Sequence, residues 1–225
     1  ARVQPSIENP IEFNDVNVTA TLNLLKICVD NGIKRFIFSS SSSVYGETED
    51  LPTDELSKTN PMSPYALQKL IGEQYCKLFS ELHDLETICL RYFNVYGDRM
   101  SLDGAYKLVI PVFTEQKLNG KPMTIRGDGK QRRDFTYVGD VVQANILAAE
   151  SNYTWKGSIF NIGNGDNRSV NDIANMIGGD KVNVEPVIEP RETLADNNKA
   201  LFHLSWKPTM KIEDWIKTYK EKMGL

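Results

Sequence analysis

Cysteine and histidine are scarce in this chain of 225 residues, which holds three cysteines and two histidines. The cysteines Cys28, Cys76 and Cys89 show no C-x-x-C spacing, so the sequence predicts reduced thiols and a cytoplasmic protein rather than a disulfide framework. His83 and His203 are too few for a zinc site, and we predict no metal. No apolar run approaches the roughly 18 to 20 residues that span a bilayer, and the start carries no signal-peptide pattern, so no membrane partner is expected.

An excess of basic residues is also lacking. Lysine and arginine number 26 and aspartate and glutamate 30, which leaves a formal net charge of −4 at pH 7. A dedicated nucleic-acid-binding protein needs a basic surface, so we expect no nucleic-acid partner. A small anionic ligand remains compatible, because a few arginines can create a local positive potential in an acidic protein. The composition, 40% hydrophobic and 25% charged, is that of an ordinary globular protein.

Strands and helices alternate along the chain. Apolar residues at spacings of three and four predict a helix over residues 14–30. Further helices are predicted at residues 65–81, 105–118, 138–150 and 211–223, and one more follows an N-cap at Ser169. Short apolar strands are predicted at residues 35–38, 87–93, 121–125 and 157–162. This alternation favours an α/β fold with a mainly parallel sheet.

Tyr65 and Lys69 stand four residues apart at the start of a predicted helix, so both side chains lie on one face. An ammonium group near a phenol favours the phenolate form, which is a base. Such a pair can remove a proton from a substrate hydroxyl. A surface tyrosine beside a solvated lysine has the same spacing, so the pair by itself leaves both interpretations open.

Five serines, Ser39 to Ser43, follow a predicted strand directly. Ligands in open α/β sheets bind beyond the carboxyl ends of strands, so a serine hydroxyl there can share a hydrogen bond with the Tyr65 phenol and a substrate oxygen. A flexible serine linker is the alternative, but apolar residues flank this run on both sides. Arg133, near the turn at residues 127–129, suits a phosphate, with an ordinary surface arginine as the alternative.

Together these residues resemble the extended short-chain dehydrogenase/reductase superfamily and, within it, the nucleotide-sugar 4-epimerases that act on UDP-glucose or UDP-N-acetylglucosamine. The likeness covers almost the whole chain in the family's order. The strings that carry it are Ser39-Ser-Ser-Ser-Ser-Val-Tyr-Gly46, Ser63-Pro-Tyr-Ala-Leu-Gln-Lys69, Leu90-Arg-Tyr-Phe-Asn94, Arg126-Gly-Asp-Gly-Lys-Gln-Arg-Arg-Asp-Phe-Thr-Tyr-Val138 and Asn161-Ile-Gly-Asn-Gly165. The resemblance implies a Rossmann-type doubly wound parallel sheet with a smaller C-terminal α+β substrate lobe.

The resemblance also implies how the chain is divided. Residues 1–97 correspond to the C-terminal part of an NAD-binding Rossmann domain. Residues 98–225 correspond mainly to the nucleotide-sugar lobe, with residues 135–165 returning to the Rossmann sheet. The family's first strands and its G-x-x-G-x-x-G motif, which seats the NAD pyrophosphate at a helix N-terminus, have no counterpart in this sequence. We therefore expect this stretch alone not to form a stable NAD-binding enzyme.

The resemblance implies a role for particular residues. The implied catalytic triad is Ser41, Tyr65 and Lys69. The residues implied to bind NAD or to support its site are Asn17, Ser39, Ser40, Tyr65, Lys69, Tyr92 and Phe93. The residues implied to bind the UDP-sugar are Ser41, Asn94, Leu108, Val109, Thr124, Arg126, Arg133, Arg191 and Thr193. The helix at residues 14–30 and the Tyr65 helix would pair with a second subunit in a homodimer.

The implied reaction inverts C4 of the sugar through a transient 4-keto intermediate. Tyr65 takes the proton of the 4-hydroxyl while a hydride passes to NAD, and the hydride returns to the other face of the sugar. A dehydratase of the superfamily carries T-D-E-V-Y-G, whose acidic residues are serines here, so dehydration is disfavoured. Thr193 is a small residue at the family position beside the 2-substituent, so UDP-N-acetylglucosamine and UDP-N-acetylgalactosamine are expected to fit.

Two kinds of alternative remain open at this point. UDP-glucuronate 4-epimerases share the S-S-S-V-Y-G type of string, so they and a decarboxylase of the same family are the main competing enzymes. A non-catalytic relative that binds a nucleotide sugar is the alternative from a different functional class.

Overall fold

The computed structural model describes residues 3–100, 108–187 and 189–225. Within them the α-helices are α1 (Val3–Glu8), α2 (Pro10–Asn14), α3 (Ala20–Asp30), α4 (Pro64–Leu82), α5 (Val109–Leu118), α6 (Val138–Glu150), α7 (Val170–Ile177), α8 (Asn198–Leu204) and α9 (Ile212–Met223). The strands are β1 (Arg35–Ser41), β2 (Glu86–Tyr92), β3 (Val95–Tyr96), β4 (Met123–Arg126), β5 (Arg132–Asp134), β6 (Thr136–Tyr137), β7 (Lys156–Ile162), β8 (Asn167–Ser169) and β9 (Lys181–Val184).

Three parallel strands form the central sheet in the order β1-β2-β7. Helices α3 and α4 pack on one face, around Phe38 and Cys89. Helices α6 and α8 pack on the other, around Leu90 and Phe160. Cys89 and Leu90 are neighbours whose side chains alternate across the sheet, as the strand period of two requires. The predicted α/β fold with a parallel sheet and helices on both faces is confirmed.

A separate cluster lies in the second half of the chain. Helices α5, α7 and α9 pack with β4 around Phe113, Ile173 and Trp215. Strand β4 pairs in parallel with β9, and β5 pairs antiparallel with β8. This part holds most of the arginines predicted to bind a nucleotide, and the exact division of the chain into two domains stays a prediction.

Several elements differ from the sequence prediction. The helical region begins before residue 14, and a π-helical stretch at Asp15–Thr19 leads into α3. The serine run is divided between two elements. Its first three serines end β1, which pairs with β2 up to Ser41, and the last two begin a 3₁₀ helix at Ser42–Tyr45. The predicted helix at residues 105–118 begins at Val109, which places Pro111 in its first turn, and residues 105–107 lie outside the described part.

Helix α4 approaches the sheet very closely at Gly72. A Cβ atom added to Gly72 would lie 2.3 Å from Cζ of Phe38 on β1, which is far inside van der Waals contact. The bare backbone of Gly72 therefore fixes the distance between α4 and the sheet. Among the described residues, no helix is both long and apolar enough to cross a membrane.

Candidate active site

The side chains of Ser41, Tyr65 and Lys69 come from two neighbouring elements. Ser41 ends β1, and α4 begins at Pro64 directly before Tyr65. The Ser63 hydroxyl caps α4 by accepting a hydrogen bond from the Ala66 N–H at 3.2 Å. A capping serine followed by proline is a strong local signal for a helix start, which places Tyr65 in the first turn.

Lys69 connects these two elements. Its Nζ donates to the carbonyl oxygen of Ser39 at 2.9 Å, and it lies 5.9 Å from the centre of the Tyr65 ring and 5.0 Å from that of Phe38. Burial lowers the pKa of Lys69 below its ordinary value. Tyr65 is buried, so the phenol and the ammonium share a partly dehydrated environment in which their interaction is stronger than in water.

The three serines at the end of β1 point in alternating directions. Ser39 is exposed, and its hydroxyl lies 3.2 Å from that of Tyr92. The Ser41 hydroxyl accepts from Ser43 N–H at 3.2 Å and from Ser43 Oγ at 3.0 Å. The buried Ser40 hydroxyl instead donates to Glu73 at 2.5 Å. The side chain of Ser40 therefore points to the opposite face of the strand from that of Ser39, and its predicted contact with the cofactor stays a prediction.

Beneath the site lies a buried ion pair that the sequence analysis missed. Arg91 on β2 donates to both carboxylate oxygens of Glu73 on α4, at 2.8 and 2.7 Å, and both side chains are almost inaccessible. The Arg91 guanidinium also stacks on the ring of Tyr45 at 4.6 Å. Burial raises the pKa of Tyr45 to about 12, and its hydroxyl donates to Asn161 on β7 at 2.7 Å. The only sequence signal was the position of Glu73 one turn after Lys69 on the same helix face.

Three further residues were predicted to bind NAD or to support its site. Tyr92 places its hydroxyl beside Ser39 and donates to Asn145 at 3.0 Å. Asn17, in the π-helical stretch, donates to Gln68 on α4 at 2.9 Å, so it braces the helix that carries Tyr65. The ring of Phe93 is buried in a cluster with Tyr45 and Ala195, and its predicted place beside NAD stays a prediction.

Two neighbouring cavities collect most of the residues predicted to bind the nucleotide sugar. The first, of about 140 Å³, is lined by Asn94, Leu108, Val109 and Arg133, among others. The second, of about 540 Å³, is lined by Arg126 and Arg191, among others. Thr124 and Thr193 line neither cavity. Thr124 is held instead by Gln116, which bonds both its N–H and its hydroxyl.

Asp134 is buried and connects β5, which it ends, to the loop that carries Thr193. Its carboxylate accepts from the N–H groups of Asn164, Gly165 and Ala195 at 2.7, 2.9 and 3.0 Å. Burial raises the pKa of Asp134 to about 6, although these three N–H donors act in the opposite direction. A Cβ on the neighbouring Gly163 would lie 2.3 Å from that of Ala195, so only glycine allows this close approach.

The side-chain amide of Asn94 contacts both Asp134 and Thr193. Its Nδ2 donates to the Asp134 carbonyl at 3.2 Å and to the Thr193 hydroxyl at 3.4 Å. Thr193 also accepts from the Asp134 N–H at 3.2 Å. Asn94 also lines the first cavity, so its predicted contact with the UDP-sugar stays a prediction, although both amide hydrogens donate to protein oxygens here.

Two of the arginines predicted to bind the UDP-sugar are paired with carboxylates. Arg133 donates to Glu189 at 2.5 Å. Arg191 makes a two-point contact with Asp128, at 3.0 and 3.1 Å. The Arg191–Asp128 pair is exposed and therefore weak, whereas the Arg133 side chain is mostly buried. Among the described residues, no group of three or more histidine, cysteine, aspartate or glutamate side chains could hold a metal ion.

Comparison with known proteins identifies close relatives. Residues 1–163 match the sequence family described as the NAD dependent epimerase/dehydratase family. A solved UDP-N-acetylglucosamine 4-epimerase from Methanobrevibacter ruminantium M1, in complex with UDP-N-acetylmuramic acid, is 37% identical with a TM-score of 0.91, over 99% of this chain and 74% of that one. A UDP-glucose 4-epimerase from Thermotoga maritima, with UDP-glucose, is 34% identical with a TM-score of 0.92, over 100% of this chain and 75% of that one.

A third solved structure contains the dinucleotide. It is a UDP-glucuronic acid 4-epimerase from Bacillus cereus, in complex with UDP-glucuronic acid and NAD. It is 34% identical with a TM-score of 0.85, over 92% of this chain and 67% of that one. The chain therefore spans two thirds to three quarters of each of these proteins.

Proposed function

Because the chain belongs to the NAD dependent epimerase/dehydratase family, as its motifs predicted, we propose that it inverts C4 of a UDP-sugar with NAD as cofactor. The observation that carries this proposal is the position of the Lys69 ammonium between the end of β1 and the Tyr65 ring. The carboxyl ends of parallel strands are where open α/β sheets bind their ligands. This position supports Tyr65 as the group that accepts a proton from the substrate, with Lys69 beside it.

The residues around Lys69 fit the nicotinamide end of NAD. Ser39 and Lys69 provide a hydroxyl and an ammonium group at the end of β1, and the Tyr92 hydroxyl adjoins Ser39. These are hydrogen-bonding groups of the kind that a ribose requires. Bound NAD would supply a hydride acceptor that later returns the hydride to the sugar.

The proton is handled by the chain's own residues. The Tyr65 phenolate accepts the proton of the sugar's 4-hydroxyl and later returns it, which leaves no net change in the protein. Lys69 favours the phenolate through its positive charge. Ser41, at the end of β1, relays the proton between the sugar oxygen and Tyr65. The sugar must turn over between the two steps, so C4 is inverted.

For the substrate we propose UDP-N-acetylglucosamine and UDP-N-acetylgalactosamine, with UDP-glucose and UDP-galactose as further substrates. The support is the small side chain of Thr193, which is half-buried beside Asn94 and does not extend as a tyrosine would. UDP-glucuronate is the second candidate, because the Bacillus cereus relative binds it and covers 92% of this chain.

Incubation of the purified full-length protein with NAD and each UDP-sugar, followed by separation of the products, tests the proposal. We expect interconversion of the N-acetylated pair, which Thr193→Tyr should abolish while sparing UDP-glucose. Thr193→Val is the matched control, because it keeps the space but removes the hydroxyl that Asn94 and Asp134 contact. Activity on UDP-glucuronate alone would replace the substrate proposal, and binding without any conversion would make the protein a nucleotide-sugar binder.

We also propose that two copies of the protein pair through the outer faces of α3 and α4. These helices contact each other, and each presents large apolar side chains to solvent, with about half of Leu24, Ile27, Leu67 and Leu78 exposed. An apolar surface of this kind, spread over two adjacent helices, is typical of a surface that another protein covers. A second copy would cover the apolar faces of both helices at once, in a bundle of four helices.

A further inference from the structure

Glu189 accepts a hydrogen bond from Arg133, one of the arginines predicted to bind the nucleotide sugar. Its Oε2 accepts from Nη2 of Arg133 at 2.5 Å, and its Oε1 accepts from Nε2 of Gln131 at 3.2 Å. The other terminal nitrogen of Arg133, Nη1, donates to the Arg132 carbonyl at 2.8 Å. An incoming phosphate therefore meets a guanidinium group that already carries a carboxylate.

Glu189 lies where the two cavities meet. Glu189 lines both the cavity of about 140 Å³ next to Asn94 and the cavity of about 540 Å³ next to Arg126 and Arg191. Arg133, its partner, lines the first of these cavities. A nucleoside diphosphate whose base and phosphates reach into both cavities must pass the place where this carboxylate lies.

A carboxylate and a phosphate are rival ligands for one guanidinium group. Both are anionic oxygen acceptors for the N–H groups of arginine and they repel each other, so a carboxylate that stays on Arg133 weakens the binding of a phosphate there. About a third of the Glu189 side chain is exposed, so the carboxylate can move into water without leaving a buried gap. Arg133 is mostly buried and stays in place.

We propose that Glu189 is an intramolecular competitor for the diphosphate of the ligand, and that it lowers the affinity of the site by holding Arg133. This inference rests on the proposed function, since it takes a UDP nucleotide as the ligand. The competition allows the product nucleotide to leave, because Glu189 returns to Arg133 as the phosphates depart. Glu189 acts through Arg133 and does not itself contact the reacting atoms.

Calorimetric titration with UDP and with uridine tests the proposal. Glu189→Gln keeps the shape of the side chain and removes its charge, so it should bind UDP about three- to tenfold more tightly than the wild-type protein does. Uridine lacks phosphates, so its affinity should not change. Glu185→Gln is the matched control, because it removes an exposed carboxylate from the same segment without contact to Arg133, and it should leave both affinities unchanged.

The outcomes separate the inference from the proposed function. Unchanged or weaker UDP binding by Glu189→Gln would overturn the competition, as would equal tightening for UDP and uridine or the same gain in Glu185→Gln. Weaker binding of both ligands would instead make Glu189 a ligand-binding residue. A wild-type protein that binds no UDP at all would overturn the proposed function itself, and the inference with it.

Discussion

At the scale of single residues, Lys69 and Tyr65 favour each other's charged form. Burial lowers the pKa of Lys69, because a buried ammonium has lost part of its hydration. A phenolate nearby would compensate for that loss, and the ammonium in turn stabilises the phenolate. The Ser39 carbonyl holds Lys69 at 2.9 Å, so its position does not depend on the tyrosine.

Replacement of Tyr65 by phenylalanine removes only the phenolic oxygen. We expect the kcat of epimerisation to fall by roughly 10²- to 10⁴-fold, which is the usual contribution of a positioned base. UDP affinity should change little, since Arg133 and its cavity are untouched. Steady-state kinetics and UDP titration measure the two effects. An equal loss of binding and turnover would indicate that Tyr65 has a structural role.

The buried Asp134 predicts a pH dependence of stability. Its pKa is about 6 in the folded protein against an ordinary value of 3.8, so the folded form takes up a proton first as the pH falls. The free energy of unfolding should therefore rise by up to about 3 kcal/mol between pH 7 and pH 4 relative to Asp134→Asn, and it should be lost again as the pH rises through 6. Urea denaturation across this range measures the difference, and parallel pH profiles of the two proteins would contradict the prediction.

Pairs of functional residues that are close in the sequence could be predicted. Contacts between residues that are far apart in the sequence could not. Tyr65 and Lys69 lie one helical turn apart, so their shared face follows from the sequence. Glu189 is 56 residues away from Arg133, and nothing local indicates that its carboxylate reaches that guanidinium. The resemblance implies that Asn94 binds the UDP-sugar, but its amide bonds to Asp134 and Thr193 depend on contacts with residues far away in the sequence.

At the scale of secondary structure elements, the buried pair of Glu73 and Arg91 locks α4 onto β2. Loss of one partner leaves the other charge buried and uncompensated. Glu73→Leu should therefore lower the free energy of unfolding by about 3 to 5 kcal/mol, as measured by urea denaturation. The double variant Glu73→Leu/Arg91→Met should recover much of that loss, because it removes both charges. A double variant as unstable as the sum of the single ones would contradict this explanation.

Long elements with local signals were predicted well, and short strands were missed. Helix α6 was predicted at residues 138–150, where it lies, and Ser169 forms a complete capping box with Asp172 at the start of α7. Strands β3 and β6 have two residues each, which is too short for an alternating pattern. The serines of β1 have no strong strand propensity, and they are extended because they pair with β2.

At the scale of the whole molecule, the exposed faces of α3 and α4 predict a dimer. Leu78→Asp should convert the dimer to a monomer, because it introduces a charge into the proposed four-helix contact. Leu118→Asp is the matched control, since Leu118 is exposed to a similar degree on α5. Sedimentation equilibrium distinguishes the two states. A wild-type monomer, or a dimer that survives Leu78→Asp, would contradict the proposed interface.

The bare backbone at Gly72 has a consequence for attempts to stabilise the protein. Alanine is favoured over glycine inside a helix by about 1 kcal/mol, so thermostability engineering would select Gly72→Ala early. Here the added methyl group would collide with the Phe38 ring and lift the helix that carries Tyr65 and Lys69 away from the sheet. An exchange that suits the helix in isolation would thus misalign the residues proposed to move the proton.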